Sequence, residues 1–593
     1  MKKILAIGEE GFLEMIRGNR YYVDKTGFIK PIMESGSYVQ LIMRPRRFGK
    51  TLFMGMLETF LELNLTEPGN TALQEELFAG LAVRRDTAFC HAYMGRFPVL
   101  SVTLKDVKGL SFDDAMQRLA EELQPIAEHF ASLLTSPRLS DEDKAFLKNC
   151  ISRRHMLDPA HRTDLQSFLG RMSLILARHF EQPIVLLIDE YDVPLQKSLK
   201  GGYYPKMLTF LQGFLSCLKP GSAMKLPDRR HAIQKAVLTG CLRVSKASLF
   251  TDLNSFDVDS VCVQGSALAA AVGFTADEVQ SLLAYYDLTD KTETVRNWYD
   301  GYRIGEEELY CPWDVIHFCR DIQAPKVNRA TFQPENYWSD TSSNDAIDEF
   351  LGFLQPEDAD RMQALYDGKA VEITVNHQLT YDDFANHESA DFWTLLLFTG
   401  YLTVVSRVNP TTFQVRIPNN EVRNTFRERI QARYSRTNRN YLRTGEEMAR
   451  AALAGDAPML KKILLQILKK YVSVRDFATR APAENYYHGL LVGLFSSVDL
   501  LELANLDSNR ESGDGYPDIT FTSCEEDVGV VIEIKRCEPQ DKLRYAQAAL
   551  RQIEEKHYAD GLTDFGCSRF WGIGIAFSGR TCAVVVKALQ PNH

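Results

Sequence analysis

Several features are missing from this chain of 593 residues, and each absence excludes a class of protein. No apolar stretch approaches the roughly 20 residues that span a bilayer, and the best one, around 395–405, is interrupted by Thr399 and Gly400. The eleven cysteines form no CxxC pair, so we expect reduced core cysteines and no zinc site. Basic residues are not in excess, since the formal net charge is −10, and any binding of nucleic acid must be local. We therefore expect a cytoplasmic protein without a membrane segment.

What is present is material for several hydrophobic cores. Hydrophobic residues make up 45% of the chain and charged residues 25%, which is typical of ordinary globular proteins. At about 150 residues per domain, the length predicts roughly four domains.

A phosphate-binding loop is predicted near the N-terminus. The apolar run 38–43 (YVQLIM) is typical of a buried strand, and a helical pattern covers Leu52 to Leu63. Between them lies Arg44-Pro45-Arg46-Arg47-Phe48-Gly49-Lys50-Thr51. In such a loop the backbone N–H groups before the helix wrap the phosphates of ATP, the lysine reaches the β- and γ-phosphates, and the hydroxyl binds Mg²⁺. The generic pattern has glycine at the position of Arg44, which weakens the motif taken alone.

Two further apolar strands end in polar residues. The run 184–190 (IVLLIDE) suits a central parallel strand with Asp189 and Glu190 at its carboxyl end. There Asp189 would hold Mg²⁺, and Glu190 would orient or deprotonate the attacking water. The run 236–240 (AVLTG) makes Thr239 a candidate sensor of the γ-phosphate, with Arg243 within reach. Taken singly, a solvated strand end and an ordinary turn explain these segments; the order of the three strands favours a nucleotide site.

With these residues the chain resembles the AAA-ATPase-like proteins of bacteria and archaea that carry a PD-(D/E)xK nuclease domain. The likeness includes 22–26 (YVDKT), 189–194 (DEYDVP) and 239–243 (TGCLR), besides the loop. Two further landmarks, 298–303 (WYDGYR) and 310–313 (YCPW), also match, although the family more often has Asn at the position of Cys311. The resemblance implies an N-terminal P-loop ATPase domain, a parallel sheet flanked by helices, in which an arginine-rich loop is normal.

The middle of the chain is predicted to form a helical lid over the nucleotide. Thr275-Ala276-Asp277-Glu278 is a capping box, and mixed helical patterns continue to about Leu365. Within this region Tyr299, Asp300 and Tyr302 either touch the nucleotide or a neighbouring domain, or form a structural aromatic corner.

A winged-helix-like module is compatible with the pattern that follows. A buried helix is predicted at Phe392–Thr399, then two strands at Tyr401–Arg407 and Thr412–Ile417, then a helix from Asn420. The stretch from Arg423 to Arg443 holds seven arginines interleaved with three aromatic residues, against one acid. It is either a nucleic-acid surface or a solvated helix face.

A second site is predicted near the C-terminus. The strand-like runs 516–521 (YPDITF) and 528–535 (VGVVIEIK) flank a polar turn. In a hairpin centred between Glu525 and Glu526, opposed residue numbers sum to 1051, so Asp518 faces Glu533 and Lys535 shares that face. Two carboxylates this close require a cation, and oxygen ligands favour Mg²⁺ or Mn²⁺. Lys535 would orient the nucleophile or offset developing charge.

This arrangement resembles the PD-(D/E)xK nucleases. The resemblance implies three additions to the site, namely the backbone carbonyl of Ile534 as a metal ligand, Glu484 as a further carboxylate, and Gln552 facing the metal from the following helix. The sequence departs from the family at 515–518 (GYPD), where relatives carry Gly-Arg shortly before the aspartate. A surface hairpin, or a nuclease fold used only for binding, is the alternative interpretation.

These interpretations together predict an α/β multidomain protein. Its expected parts are an ATPase domain at 1–265, a helical lid at 266–375, a helical or winged-helix-like linker at 376–475, and a nuclease-like domain at 476–593. The leading hypothesis is a nuclease acting on DNA or RNA and gated by ATP; self-association through the ATPase domain is a further expectation. The alternative is a nucleotide-dependent scaffold or switch that binds nucleic acid or a partner without cleaving it.

Overall fold

The computed structural model describes residues 2–219, 224–226, 228–242, 256–338, 358–366, 368–376, 389–426, 439–471, 483–495, 503–508, 516–523, 527–579 and 581–590. The chain divides into two compact units, Met1–Thr425 and Phe426–His593. Among the described residues, no helix is both long enough and apolar enough to cross a membrane.

The first unit is built around a five-stranded parallel sheet. Its strands are β1 (Val39–Met43), β2 (Val99–Thr103), β3 (Ile184–Asp189), β4 (Ile233–Gly240) and β5 (Phe256–Asp259). They lie in the order β2-β3-β4-β1-β5, and all four pairings are parallel. Strands β1 and β3 are buried along their whole length, as their continuous apolar runs predict. Because β4 lies between β1 and β3, the carboxyl ends of these three strands adjoin one another.

Helices cover this sheet. The helix after β1 begins at Lys50, two residues before the predicted start, and ends at Leu61. The other helices of this region are Phe12–Arg17, Ile29–Glu34, Ala72–Leu77, Thr87–Tyr93, Phe112–His129, Asp141–Ile151, Arg153–Leu157, Arg162–Phe180, Val193–Lys200 and Tyr204–Phe214.

The rest of the first unit mixes short strands with helices. A three-stranded sheet in the order β6-β8-β7 consists of β6 (Phe274–Thr275), β7 (Tyr302–Ile304) and β8 (Glu307–Tyr310). It adjoins the helices Ala276–Tyr285, Thr292–Tyr299 and Pro312–Asp321. The capping box at Thr275 and Glu278 is confirmed. These strands of two to four residues are too short to show an alternating pattern, which explains why the sequence predicted helices alone.

A second small sheet follows in the same unit. The predicted helix and hairpin are present as the helix Ser389–Thr399 and the strands β10 (Thr403–Arg407) and β11 (Thr412–Arg416). A further strand, β9 (Val371–Thr374), pairs with β11 and was not evident in the sequence. The helix Asp358–Tyr366 precedes it, and residues 420–426 are helical, as predicted from Asn420 onward. Most of the predicted arginine-rich surface, 427–438, lies outside the described residues.

The second unit holds a mixed five-stranded sheet. Its strands are β12 (Leu503–Ser508), β13 (Ile519–Ser523), β14 (Val528–Arg536), β15 (Arg569–Ser578) and β16 (Thr581–Leu589), in that order across the sheet. Only the β14/β15 pairing is parallel. The helices are Arg439–Leu453, Ala457–Tyr471, Ala483–Phe495 and Lys542–Glu555. Apolar side chains of the first three helices share one core with the sheet, so the helices within 439–471 pack on the C-terminal sheet.

The predicted hairpin register is confirmed. Ile519 pairs with Ile532 and Thr522 with Gly529, so opposed residue numbers sum to 1051. The division into four parts at 265, 375 and 475 remains a prediction.

Candidate functional site

The nucleotide-type site of the first unit lies at the carboxyl ends of β1, β3 and β4. Gly49 has a φ of 94°, a left-handed conformation that glycine adopts without strain, and it directly precedes the helix that carries Lys50 and Thr51. The Thr51 hydroxyl donates a hydrogen bond of 2.7 Å to Oδ2 of Asp189. The structure therefore brings together the two oxygen groups that were predicted to bind Mg²⁺.

Thr239 holds the other oxygen of the same carboxylate. Its hydroxyl donates to Oδ1 of Asp189 and accepts the backbone N–H of Glu190 at 3.3 Å. Thr239 is fully buried in this arrangement, so the contacts it makes orient the end of β3. Its role as a phosphate sensor remains a prediction, and Arg243 lies outside the described residues.

Lys50 is buried at the centre of the site. Its Nζ donates to the carbonyl oxygens of Arg44 and Pro45 at 3.2 and 3.1 Å and lies 3.4 Å from Oε1 of Glu190. Burial lowers the pKa of Lys50. The neighbouring Cys241 and the carboxylates together raise this pKa by more than burial lowers it, so it lies above its usual value. Lys50 is thus a fixed positive charge beside the loop.

Two acidic residues complete the end of β3. Glu190 has a φ of 54°, a conformation that is costly for a residue with a β-carbon and that occurs preferentially at functional sites. Asp192, which sequence reasoning did not single out, accepts the backbone N–H groups of Cys241 and Leu242 at 3.1 and 2.8 Å. Burial and the charge of Glu190 raise the pKa of Asp192 to about 6. Asp192 therefore ties the end of β3 to the segment after β4.

Arg44, the residue that departs from the generic loop pattern, does not face the site. Its side chain is fully buried and forms an ion pair of 2.6 Å with Asp259 at the end of β5. The same guanidinium donates to the carbonyl oxygens of Leu268 and Ala269 at 2.9 and 3.1 Å. The arginine at this position is therefore part of the core at the edge of the sheet.

The middle region of the first unit holds the loop from outside. The indole N–H of Trp338 donates to the carbonyl of Arg46 at 3.4 Å, the Cys311 thiol donates to that of Arg47 at 3.7 Å, and the backbone N–H of Gly273 donates to that of Phe48 at 3.1 Å. Because residues of the middle region donate hydrogen bonds to three successive carbonyls of the loop, the loop conformation depends on this region. Cys311 thus makes a structural contact here.

Two side chains of the loop are also held. The Arg47 guanidinium stacks over the Trp313 ring at 4.0 Å, and Nη2 of Arg46 donates to Oε1 of Gln196 at 2.7 Å. The ring of Phe48 meets Tyr302 edge to face at 5.0 Å. Tyr302 therefore belongs to an aromatic contact that supports the loop, which is the structural alternative considered for it.

The second site lies where β13 begins and β14 ends. Asp518 directly precedes β13, and its Oδ2 accepts the backbone N–H of Ile534 at 2.6 Å. Glu533 is 3% exposed, and its Oε1 accepts hydrogen bonds from Lys535 at 3.1 Å and from Gln552 at 2.5 Å. The fold therefore brings together Asp518, Glu533, Lys535 and Gln552, although Gln552 lies on a separate helix, Lys542–Glu555.

The surroundings of the Asp518 and Glu533 carboxyl groups disfavour their ionised forms. Burial and repulsion by Asp518 raise the pKa of Glu533 to about 7. Burial also raises the pKa of Asp518. Oε2 of Glu533 is buried, and no described residue forms a hydrogen bond with it. A buried carboxylate oxygen without a partner beside a second carboxylate fits a divalent cation with oxygen ligands, Mg²⁺ or Mn²⁺.

His488 is a neighbour of this site that sequence reasoning missed. Its Nε2 lies 2.9 Å from the backbone carbonyl of Asp518 and 3.0 Å from the Ser508 hydroxyl. It lies on the helix Ala483–Phe495, four residues after Glu484 and therefore on the same helix face, a spacing that could have revealed it. The side chain of Glu484 lies outside the described part of the chain.

Fold and sites together define an ATPase-like domain with a parallel five-stranded sheet and a C-terminal nuclease-like domain with a mixed sheet. Residues 6–250 match the family model described as a predicted AAA-ATPase, and residues 482–587 match that of the PD-(D/E)XK nuclease superfamily. The chain thus combines an AAA-ATPase-like region with a C-terminal domain of the PD-(D/E)XK nuclease superfamily.

Two comparisons concern individual proteins. The chain is 27% identical to an uncharacterized protein in the vnfD 5′ region of Azotobacter chroococcum mcd 1, over 98% of both chains. The solved structure of a Walker-type ATPase of Pyrococcus abyssi aligns with 68% of this chain and 94% of its own, at 12% identity and a TM-score of 0.32.

Proposed function

We propose that this protein binds and hydrolyses ATP in its first unit and cleaves phosphodiester bonds of DNA or RNA, with a divalent metal, in its second. The observation that carries the proposal is the buried carboxyl group of Glu533 beside the partly buried one of Asp518, with Lys535 and Gln552 hydrogen-bonded to Glu533. Without a cation these acids would destabilise the folded chain, because a carboxylate removed from water and close to a second carboxylate costs free energy.

In the first unit, the proposed roles follow from the contacts. Lys50 offsets the charge of the β- and γ-phosphates, and the backbone N–H groups of 46–51 surround them, including those of Arg46, Arg47, Phe48 and Gly49. Thr51 and Asp189, already joined by a hydrogen bond, are the oxygen groups that would hold Mg²⁺. Glu190, which pairs with Lys50 in this structure, would orient or deprotonate the attacking water once that ion pair opens.

In the second unit, Asp518, Glu533 and the carbonyl of Ile534 would hold the metal, and Glu484 is proposed as a further ligand. When bound, the metal supplies Lewis acidity that lowers the pKa of a coordinated water. Lys535 orients the nucleophile or offsets the negative charge that develops on the phosphate. Gln552 holds Glu533 in place through the hydrogen bond to Oε1.

We further propose that nucleotide state gates cleavage. This coupling requires that ATP bind two arrangements of the protein with different affinity. The alternative is a nucleotide-dependent scaffold or switch whose nuclease-like domain binds nucleic acid without cutting it.

The test is cleavage of labelled single- and double-stranded DNA and RNA with Mg²⁺ or Mn²⁺, in the presence of ATP, ADP or no nucleotide. We expect cleavage that is lost in Asp518→Ala and Lys535→Ala, and that differs between the ATP-trapped Glu190→Gln variant and the ADP-bound wild type. Lys542→Ala is the matched control, since Lys542 is a partly exposed lysine hydrogen-bonded only to the carbonyl of Pro539 among described groups. Equal activity in the Asp518→Ala and wild-type proteins contradicts the nuclease assignment; a rate indifferent to nucleotide contradicts gating alone.

A further inference from the structure

A polar cavity of about 260 Å³ lies in the first unit, where the segment 296–301 meets the end of β11 and the helical residues after it. None of its lining residues belongs to the loop 44–51 or to the end of β3. Its lining includes Arg296, Arg416, Arg423, Asp300, Asn297 and Asn420. The WYDGYR landmark thus contributes one wall of a cavity, in addition to its support of the loop through Tyr302.

Three arginines converge on this cavity. Within the described part of the chain, Arg296, Arg416 and Arg423 form no ion pair and no hydrogen bond through their side chains. Arg296 and Arg416 are exposed, whereas Nε of Arg423 is shielded from solvent. Because a guanidinium remains charged at any physiological pH and offers five N–H donors, a shielded Nε without an acceptor calls for an anionic partner.

The cavity also offers acceptors. Asp300 is 8% exposed, and its Oδ1 is buried without a hydrogen-bond partner among the described residues. Asn297, Asn420 and Glu308 add further amide and carboxylate groups along the wall. A ligand that satisfies both kinds of group carries an anion and, beside it, hydroxyl or amino donors.

The backbone of the cavity is fixed by a close approach of two segments. Gly301 has a φ of 96°, and a β-carbon at this position would lie 2.3 Å from the carbonyl oxygen of Pro418. The Asn419 amide donates to the carbonyl of Asp300 at 2.9 Å and thereby joins the two walls. The backbone segments that carry Arg296 and Arg416 are therefore joined to each other at the cavity, and a preformed cavity lowers the cost of binding.

We infer that this cavity is a third phosphate site, which binds a phosphate ester with an adjacent hydroxyl or amino group, the chemistry of one nucleotide unit. The arginines bind the phosphate, and Asp300 accepts a hydrogen bond from the sugar or base. The volume holds a single unit, not a duplex. The unit comes either from a nucleic-acid strand or from a free nucleotide.

Fluorescence anisotropy of a fluorescein-labelled ten-residue oligothymidylate, measured on the full chain in EDTA to prevent cleavage, tests this inference. Unlabelled AMP and inorganic phosphate serve as competitors that distinguish a free nucleotide from a strand. We expect Arg416→Ala and Arg423→Ala each to weaken binding of the strand, or of AMP in competition, by about tenfold, because each removes a charge-assisted hydrogen bond. Arg407→Ala is the matched control, since Arg407 lies in the same small sheet but does not line the cavity.

Weaker binding in the two cavity variants, with Arg407→Ala like the wild type, supports the inference for whichever probe is affected. Unchanged affinity of Arg416→Ala for the strand, AMP and phosphate overturns it, because this exposed residue can be replaced without disturbing the fold. Equal weakening in all three variants also overturns it, since a diffuse charge effect would then account for the binding.

Discussion

Arg44 illustrates how one residue can be misjudged from a motif. A glycine there would restore the generic phosphate-loop pattern, yet the structure uses the side chain to neutralise the buried Asp259. We expect Arg44→Gly to lower the free energy of unfolding of the first unit by about 3–5 kcal/mol, because a buried carboxylate loses its partner. Chemical denaturation followed by circular dichroism measures this.

The control for Arg44 is a double variant. Arg44→Met combined with Asp259→Leu removes both charges and should regain most of the lost stability. A single variant as stable as the wild type would contradict a structural role for this ion pair. The partner of Arg44 lies 215 residues away in the chain, so no local pattern could have revealed it.

Glu533 leads to a prediction on pH. In the folded, metal-free protein burial raises its pKa from 4.5 to about 7, so the folded state binds the proton more tightly than the unfolded state. The carboxyl group therefore costs no stability well below pH 4.5, and its cost grows as the pH rises to about 7 and is constant above it. In EDTA at pH 8 we expect Glu533→Gln to be more stable than the wild type by about 1–3 kcal/mol.

The same pair of proteins tests the metal. Adding Mg²⁺ or Mn²⁺ at pH 8 should raise the melting temperature of the wild type and leave that of Glu533→Gln unchanged, because only the wild type keeps both carboxylates. Equal shifts in both proteins would show that the cation binds elsewhere. The placement of Asp518 against Glu533 was predictable because strand pairing fixes which residues are opposed, whereas the approach of Gln552 was implied only by the family resemblance.

At the scale of elements, the segment YVDKT is a connector. The Lys25 ammonium, 9% exposed, pairs at 2.6 Å with Glu278 at the start of the helix Ala276–Tyr285 and donates to the carbonyl of Ala270. Burial lowers the pKa of Lys25, and Glu278 opposes that effect. Asp24 accepts hydrogen bonds from Thr26 and from the backbone of Ala82. This segment therefore joins the N-terminal helices to the region after β5.

Two lysines allow a matched comparison. We expect Lys25→Ala to destabilise the first unit by about 3 kcal/mol or more, because Glu278 would remain partly buried without its partner. Lys30, whose pair with Asp86 is exposed, should cost much less stability than Lys25 when changed to alanine, because water screens the charges of an exposed pair. Denaturation curves give the loss in free energy of unfolding for each variant. Similar losses would show that burial of the Lys25–Glu278 pair adds nothing to stability.

Elements were predictable to different degrees, for physical reasons. Strands buried on both faces, such as β1 and β3, are marked by continuous apolar runs, and the hairpin β13/β14 by two runs around a polar turn. The strands β6 to β9 are short, and β6 and β9 pair with strands that are distant in sequence, so their local pattern is weak. The sequence accordingly predicted the two ends of the chain better than its middle.

At the scale of the whole molecule, the chain divides into two compact units, so the response of each unit to a ligand can be followed separately. We expect calorimetry to show that a non-hydrolysable ATP analogue with Mg²⁺ raises the unfolding transition of the first unit in the wild type but not in Lys50→Ala. A parallel rise in the transition of the second unit would be direct evidence of coupling. Two units that respond independently would favour a protein in which nucleotide does not gate the nuclease.

Coupling is the property that sequence could least predict. Sequence motifs identify groups that act over a few ångströms. Thr51 and Asp189 were predicted from two separate motifs, and the structure joins them by a hydrogen bond. Gating is a difference in free energy between arrangements of the whole molecule, and no short pattern of residues encodes it.

The contacts between the middle region and the loop 44–51 have a consequence for tryptophan fluorescence. Of the five tryptophans in the chain, Trp313 lies under the guanidinium of Arg47, and Trp338 donates its indole N–H to the carbonyl of Arg46. Occupation of the loop by nucleotide would alter the field at both indole rings, so the intensity or wavelength of the intrinsic emission should change. These two tryptophans therefore give the proposed nucleotide binding a fluorescent readout, and stopped-flow measurement with Trp313→Phe as reference would time the event without a label.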